Sequence, residues 1–318
     1  MRLYAHPDFT AIVVAAREHL GIPGLTEQLI EKDYFVTEML RIVAASLPAE
    51  AIFKGGTSLS KGWDIIRRFS EDVDLFVDPK KFSPPLGKNG IDRTLKKLRD
   101  QVGQHPAFTL TASKPSGGFG RADDFAYPQS FGGIAAVKST VLLEAGTASG
   151  REPVVTLDIE SYVARFLREA GVELEAEDRS TFPMRVMHFR RTFVEKMFAI
   201  HAKVELFKEG GKPIGTYARH YYDLFCLLLR PEVPDMLRTE EYAHIKDDYR
   251  SVSLASFPRD YREPDGMSFA SSDALFPEGG LRAAIRSDYT VQCANLCYGA
   301  IPAFEQVEEA LAQVRGLL

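Results

Sequence analysis

The chain has 318 residues, which suggests two domains, or one domain with a large extension, at about 100–200 residues per domain. Hydrophobic residues make up 45% and charged residues 26%, an ordinary globular composition that excludes fibrous, disordered and disulfide-stapled proteins. The formal net charge is −5, so no overall positive field draws the protein onto nucleic acid. Any contact with RNA must therefore come from a local patch.

Cysteine usage and hydropathy bear on the cellular compartment. The chain has three cysteines, an odd number placed late in the sequence, which is typical of a reducing compartment. No stretch approaches the roughly 18 consecutive apolar residues of a membrane span, and the N-terminus lacks the pattern of a signal peptide. We therefore predict a cytoplasmic protein without a membrane segment.

The predicted elements follow from apolar spacing, capping residues and short apolar runs bounded by glycine or proline. They are helices over 8–20 and 26–47, a strand over 51–53, a helix over about 58–68, a strand over 73–77, a helix over 91–103, a loop or hairpin over 113–133, strands over 136–145 and 154–159, and helices over 190–208, 217–229 and the end of the chain. The proline-containing stretch 231–280 predicts irregular structure. The acidic stretch 169–180 predicts a linker, so we expect a mixed α/β domain over 1–168 and a mainly helical domain over 169–318.

A Gly-Gly turn follows the first predicted strand and precedes a helix. Gly55 and Gly56 at this point expose backbone N–H groups, which bind phosphate. Thr57 and Ser58 add hydroxyl donors. The spacing differs from that of a P-loop, so the turn predicts a phosphate site of another kind.

Two aspartates lie on the next predicted strand. Asp72 and Asp74 are two residues apart, so both carboxylates lie on one face of the strand. Two such charges raise each other's pKa unless a cation lies between them, and Mg²⁺ suits carboxylate and phosphate oxygens. A Gly-Gly sequence alone is usually only a turn, and an aspartate pair alone is usually a solvated strand face. The Gly-Gly turn followed by the aspartate pair, with Ser70 just before the pair, indicates metal-assisted nucleotidyl transfer.

The combination of Gly-Gly, helix and Asp-hydrophobic-Asp resembles the signature of DNA polymerase β-like nucleotidyltransferases. The fuller string KGGTSLSKGW followed by RRFSEDVDLFV resembles one branch, the AbiEii/AbiGii-type toxins of bacterial toxin–antitoxin systems. Three further segments match motifs of this branch: residues 29–34 with an EKD motif, 192–196 with a helical lysine motif, and 219–224 with an RxxYDL motif. The resemblance implies an α+β fold, a polymerase β-like mixed sheet with flanking helices, and a C-terminal helical region that completes the nucleotide cleft.

The resemblance also implies roles for individual residues. Asp72 and Asp74 would hold Mg²⁺ and the triphosphate, Lys196 would hold the triphosphate, and Asp223 would be needed for activity. The nucleotide-binding set comprises Lys54, Gly55, Gly56, Thr57, Ser58, Ser70 and Lys196.

The superfamily adds a third carboxylate on a neighbouring strand, which acts on the attacking hydroxyl. We choose Glu144 for this role. Asp158 and Glu160 are rivals, because they also belong to a predicted strand segment, and the sequence leaves the choice open.

The implied reaction transfers a nucleotide from an NTP to an acceptor hydroxyl at the 3′ end of tRNA, as the toxin of a pair with a cognate antitoxin. Two alternatives stay open. The acceptor could be a protein hydroxyl, or the chain could be a nucleotide- or RNA-binding module without catalysis.

Structural explanations compete with these roles. Lys196 could be a surface lysine paired with Glu195, and Asp223 could pair with Arg219 along its helix. The EKD segment could be an ion-paired helix face that holds the N-terminal helix against the core. A set of basic residues could form an RNA surface or a solvated face: Arg185, Arg190, Arg191, Lys196, Lys203, Lys208 and Lys212.

Overall fold

The computed structural model of the protein describes residues 1–70, 72–116, 120–132 and 138–318. Parts of two predictions lie outside these residues: the strand start at 136–137, and residues 117–119 and 133 of the loop or hairpin.

The described residues form a mixed sheet of seven strands in the order β3-β4-β5-β2-β1-β7-β6. Strand β2 pairs in parallel with β5, and β1 in parallel with β7, whereas the other neighbours are antiparallel. The strands are β1 (Ala51–Lys54), β2 (Asp72–Val77), β3 (Thr109–Ser116), β4 (Gly120–Ala126), β5 (Thr140–Gly146), β6 (Val154–Ile159) and β7 (Phe182–Met187).

Helices flank the sheet and make up most of the chain after it. They are α1 (Phe9–Leu20), α2 (Glu27–Ser46), α3 (Gly55–Lys61), α4 (Lys88–Gly103), α5 (Tyr162–Glu169), α6 (Phe189–Lys208), α7 (Arg219–Leu228), α8 (Glu232–Met236), α9 (Glu240–Ser256), α10 (Gly279–Leu296) and α11 (Phe304–Val314). In the parts of the chain that the structure describes, no helix has the length and apolar character needed to cross a membrane.

The chain divides into two compact units. The first unit holds the whole sheet with α1–α5 and comprises Met1–Asp64, Phe69–Thr147 and Val154–Met187. The second unit is mainly helical and comprises Ile65–Arg68, Ala148–Pro153 and His188–Leu318. Two short segments from the sheet region thus belong to the helical unit, which no pattern in the sequence indicated.

The predicted fold class is confirmed, since a mixed sheet with flanking helices precedes a helical region. Three predictions about elements were wrong. The helix after the Gly-Gly turn begins at Gly55 and ends at Lys61, earlier than the predicted 58–68. Strand β7 was missed, and the stretch expected to be irregular contains the 17-residue helix α9.

Helix α2 is central to the first unit. Thr26 caps it by accepting a hydrogen bond from the N–H of Leu29, as the sequence predicts. Glu31 and Lys32 are both fully buried on it. The Glu31 carboxylate accepts hydrogen bonds from the backbone of Ser130 (2.7 Å) and of Phe131 (3.2 Å).

The third residue of the EKD segment holds α3 in place. Lys61, at the end of α3, forms a 2.7 Å salt bridge with Asp33. Asp33 also accepts a hydrogen bond from the N–H of Tyr162, in the first turn of α5. Asp33 thus forms an ion pair of the expected kind and ties α2 to α3, which carries the Gly-Gly turn, whereas Glu31 and Lys32 contact backbone groups.

Candidate active site

The first unit gathers three carboxyl groups on one face of its sheet. Asp74 on β2 lies directly opposite Glu144 on β5 in the parallel pair, and Asp72 lies opposite Leu142. Because side chains alternate along a strand, Asp72, Asp74 and Glu144 share a face, while the intervening Val73 is fully buried on the other.

The carboxyl groups at this face interact with one another. Glu144 remains accessible to solvent, but the protein atoms around it and the carboxylates of Asp74 and Asp72 raise the pKa of Glu144 to about 7. A hydrogen bond with Asp74 contributes to the raised pKa, and the ammonium of Lys54 opposes it. At neutral pH this cluster therefore holds either a shared proton or excess negative charge, which a cation would neutralise.

The Gly-Gly turn lies against the same carboxylates. Gly55 has φ +77°, a left-handed conformation that side chains rarely adopt. A Cβ atom on Gly55 would lie 2.1 Å from Asp74 Oδ2, so only glycine lets the turn approach this carboxylate. Lys54 lies opposite Asp74 in the β1–β2 pair and brings the turn into register with it.

The hydroxyl groups of the turn are engaged within the protein. Thr57 Oγ1 donates to the carbonyl of Asp72 at 2.6 Å, and Ser58 Oγ donates to the carbonyl of Gly55 at 2.8 Å. Both residues are buried. Their hydroxyl hydrogens thus brace the turn and β2, which leaves the backbone N–H groups as the expected phosphate donors. Ser70 is half-buried in the segment before β2.

The rival carboxylates lie elsewhere in the sheet. Asp158 is on the edge strand β6, which β1 and β7 separate from β2. Glu160, just after β6, forms a two-point salt bridge with Arg168, 2.7 Å at its closer contact. Of the three candidates, the structure brings only Glu144 next to Asp72 and Asp74.

The second unit buries a different charged cluster around Asp223. Arg68 donates to both Asp223 oxygens, at 2.6 and 2.8 Å, and Lys196 Nζ lies 2.6 Å from Asp223 Oδ2. Lys196 also donates to His220 Nδ1 at 3.1 Å. Asp223 is fully buried, so its carboxylate contacts Arg68 and Lys196 and not solvent.

Electrostatics favour the ionised form of Asp223 and the neutral form of His220. Burial alone would raise the pKa of Asp223, but the charges of Arg68 and Lys196 outweigh burial and hold it well below its ordinary value. Burial lowers the pKa of Lys196 against the opposing attraction of Asp223. Burial, with the nearby Lys196 charge, lowers the pKa of His220 to about 3, so the imidazole is neutral.

These contacts test the structural explanations given above for Lys196 and Asp223. Lys196 is buried and paired with Asp223, whereas Glu195 pairs with Arg191, so the surface-lysine explanation is wrong. The carboxylate of Asp223 forms salt bridges with Arg68 and Lys196 instead of Arg219.

The basic set does not form one free surface for RNA. Lys196 is buried, Arg185 belongs to the first unit and donates to the carbonyl of Ala49, and three others are bound to carboxylates. The ion pairs are Arg190–Glu241, Arg191–Glu195, Arg191–Asp248, Lys208–Glu205 and Lys208–Asp273.

Comparison with known proteins identifies the family. The model of the family described as "Nucleotidyl transferase AbiEii toxin, Type IV TA system" matches residues 39–312, which is most of the chain. The chain belongs to the AbiEii nucleotidyl transferase toxin family. It is therefore a nucleotidyltransferase and the toxin of a type IV toxin–antitoxin system, which implies an NTP substrate and a cognate antitoxin.

The other comparisons add little to the family match. No curated protein matches the chain. One solved structure that is similar to it is MenT4, a nucleotidyltransferase toxin from Mycobacterium tuberculosis H37Rv, with 17% sequence identity and a TM-score of 0.44 over 95% of this chain and 98% of that chain.

Nucleotidyltransferases generally use a divalent metal, and the donor set of this AbiEii toxin fits one. Among the described residues, no group of three or more His, Cys, Asp and Glu side chains is arranged to hold a metal alone. Mg²⁺, however, usually takes one or two carboxylates plus substrate phosphates and water. Asp72 and Asp74 supply such a pair, and the raised pKa of Glu144 marks negative charge that a cation would offset.

One buried residue of the AbiEii toxin, Arg68, has a partner that no sequence pattern indicates. Arg68 holds both oxygens of Asp223, although 155 residues separate them in the chain. Its only signal was its place in the family-like string before the aspartate pair. An arginine beside another arginine near a turn is usually solvent-exposed, so the residue type alone would not have revealed it.

Proposed function

We propose that this AbiEii toxin catalyses Mg²⁺-dependent transfer of NMP from an NTP to the hydroxyl at the 3′ end of tRNA, releasing pyrophosphate. The observation that carries this proposal is the convergence of Asp72, Asp74 and Glu144 on one face of adjacent strands. A binding module without catalysis has no need of three mutually repelling carboxyl groups at one place.

Each residue at the face has a role in the proposed reaction. Asp72 and Asp74 would hold the metal, which when bound would offset negative charge on the triphosphate and on the transferred phosphoryl group. Glu144 accepts the proton of the attacking hydroxyl on a carboxylate oxygen, a task suited to a pKa of about 7. The backbone N–H groups of Gly55 and Gly56 bind phosphate oxygens.

The acceptor rests on the family. AbiEii membership supports a toxic transfer reaction and an antitoxin partner. The tRNA acceptor and the cytoplasmic location are parts of our proposal. We further propose that Lys196 holds the triphosphate and that the helical region, predicted over 169–318, completes nucleotide binding.

A label-transfer assay tests the proposal. Purified protein and Mg²⁺ are mixed with each α-³²P-labelled NTP, total bacterial RNA and bacterial protein extract. The doubly substituted Asp72→Asn, Asp74→Asn protein is run in parallel. We expect label in tRNA-sized RNA with one or more NTPs, reduced by about a thousandfold in the double variant because charge stabilisation at the metal is lost.

A matched control uses two carboxylates of the same unit that lie outside the site. Asp92 and Asp100 on α4 are exposed and paired with Lys96 and Arg99, so Asp92→Asn with Asp100→Asn should retain full transfer. Label in protein bands and not in RNA would refute the tRNA acceptor. Absence of label from both fractions at every NTP would refute catalysis.

A further inference from the structure

The second unit contains an aromatic pocket that the proposed chemistry does not use. Its volume is about 310 Å³, and its wall comes from α6, from the segment before α7, and from α9 with the turn that follows. The residues that define its chemistry are Phe198, Lys203, Tyr217, Tyr249, Phe257 and Asp260.

The rings form a buried floor and an open rim. Phe198 is 1% exposed and stacks on Tyr249, with ring centroids 4.3 Å apart and an interplanar angle of 15°. At the rim, Tyr217 is 41% exposed and Phe257 is 44% exposed. Large rings left this open on a monomer are commonly binding surfaces, and here both belong to one pocket.

One basic and one acidic side chain, Lys203 and Asp260, line the pocket together with these rings. Lys203 Nζ lies 5.6 Å from the centroid of the Tyr217 ring and donates to the carbonyl of Lys212 at 3.1 Å. Asp260 also lines the pocket and is exposed. A planar ring that carries an amino group would stack on the aromatic wall and donate to Asp260, while an attached phosphate would pair with Lys203.

The size of the pocket limits its occupant. Ligand pockets range from about 300 to 1,000 Å³, so a volume of about 310 Å³ accepts one small planar ligand. A helix or a lipid chain needs a longer groove. The combination of aromatic wall, carboxylate and ammonium group is the chemistry that recognises a nucleobase with its phosphate.

We propose that this pocket binds one nucleobase, with its phosphate directed to Lys203. The inference rests on the proposed function in taking nucleotides and RNA as ligands. The base can belong to the free NTP or to the RNA strand. In either case, side-chain contacts link the pocket to the Lys196 cluster. Tyr217 packs edge-on against His220, 5.7 Å between ring centroids, and His220 contacts Lys196.

Binding measurements with ring-deleted variants test the proposal. Tyr217→Ala and Phe257→Ala each remove one rim ring, and Tyr217→Phe keeps the ring. Leu229→Ala is the matched control, since Leu229 is a 66% exposed apolar residue outside the pocket lining. The probes are a fluorescein-labelled single-stranded RNA, an abasic RNA of the same length, and the four α,β-methylene NTP analogues.

RNA binding is measured by anisotropy in the Asp72→Asn, Asp74→Asn background, and analogue binding by calorimetry in the otherwise unchanged protein. We expect both ring deletions to weaken binding by about tenfold or more, because stacking on an aromatic ring contributes that much per base. Tyr217→Phe and Leu229→Ala should bind as the parent protein does.

The two probe classes identify the source of the base. A loss confined to RNA places a base of the strand in the pocket, and a loss confined to the analogues places the NTP base there. The proposal is overturned if both ring deletions bind every probe as the parent protein does, or if they weaken the binding of intact and abasic RNA equally and leave the binding of the analogues unchanged. Neither readout requires transfer, so a failed label-transfer assay would refute the proposed function without deciding this one.

Discussion

Gly55 gives the carboxylate of Asp74 the space it occupies, because a Cβ atom on Gly55 would lie 2.1 Å from Asp74 Oδ2. We predict that Gly55→Ala displaces Asp74 or the turn and lowers nucleotide transfer by about a hundredfold, the usual cost of misplacing a reacting group by about 1 Å. The measurement is initial transfer rate at saturating NTP.

Gly87→Ala provides the control for this prediction. Gly87 also lies at the beginning of a helix, its φ is −83°, and nothing lies within 4 Å of a Cβ built on it. This variant should transfer nucleotides at the parent rate. Full activity of Gly55→Ala would contradict the close approach that the structure shows.

Asp223 and Lys196 are predicted to differ in what they contribute. Asp223→Asn leaves Arg68 and Lys196 buried without a carboxylate, and we expect the free energy of unfolding to fall by about 3–5 kcal/mol. Lys196→Met leaves the Arg68–Asp223 pair intact, so it should cost less stability but raise the KM for NTP. Urea unfolding and steady-state kinetics measure the two effects.

Lys208→Met on the same helix is the control, since Lys208 is exposed and paired with Glu205 and Asp273 at the surface. It should change neither the free energy of unfolding nor the KM for NTP appreciably. If Lys196→Met were as destabilising as Asp223→Asn with an unchanged KM, the lysine would be structural.

At the scale of an element, α2 carries a buried carboxyl group with a strongly shifted pKa. Burial raises the pKa of Glu38 to about 7, with Asp178 adding to the shift and Arg41 and Arg2 opposing it. Glu38 is 1% exposed and accepts hydrogen bonds from Arg41 (2.9 Å) and Arg2 (3.1 Å). The folded state therefore binds a proton here that the unfolded chain releases at lower pH.

The sign of the pH effect follows from the raised pKa. The contribution of Glu38 to stability is fully present below its ordinary pKa of about 4.5 and is lost as pH rises to about 7. Relative to the parent protein, Glu38→Gln should gain up to about 3 kcal/mol across this window.

The measurement is urea unfolding at several pH values, with Glu18→Gln, an exposed change on α1, as control. A difference between Glu38→Gln and the parent protein that stays constant from pH 4.5 to pH 7 would contradict the raised pKa.

The elements also show which structural information the sequence carries locally. Helices α1 and α2 and strand β2 were predicted because their apolar spacing and caps are local signals. Strand β7 carries the alternation Phe182, Met184, Val186, all buried, but it follows an acidic stretch whose composition is typical of a linker. Helix α9 was missed because its surroundings contain prolines and it buries few side chains.

In the candidate site, too, some residues could be predicted from local spacing and others could not. Asp72, Asp74 and the Gly-Gly turn lie close together in the chain, so spacing alone placed them. Glu144 needed the family resemblance and a choice among rivals, because strand pairing decides which carboxylate lies beside Asp74. The partnership of Arg68 with Asp223 spans 155 residues and leaves no periodic trace in the sequence.

At the scale of the whole molecule, the two units are interleaved along the chain. The second unit takes Ile65–Arg68 and Ala148–Pro153 from within the sheet region. Arg68 supplies two hydrogen bonds to buried Asp223, and the carbonyl of Arg67 accepts a hydrogen bond from the N–H of Tyr298 at 2.8 Å. The helical unit is thus incomplete without a piece of chain that precedes it by more than a hundred residues.

We therefore predict that residues 188–318, expressed alone, do not fold cooperatively. Without Arg68, the fully buried Asp223 keeps Lys196 but loses its two-point partner, a loss of several kcal/mol for a buried charge. The carbonyl of Pro153, which accepts from the N–H of His188, is missing as well. Urea unfolding followed by circular dichroism should show a broad, non-cooperative transition for the fragment and a sharp one for the full chain. A sharp transition of the fragment would show that the helical unit is stable without these segments and would contradict the prediction.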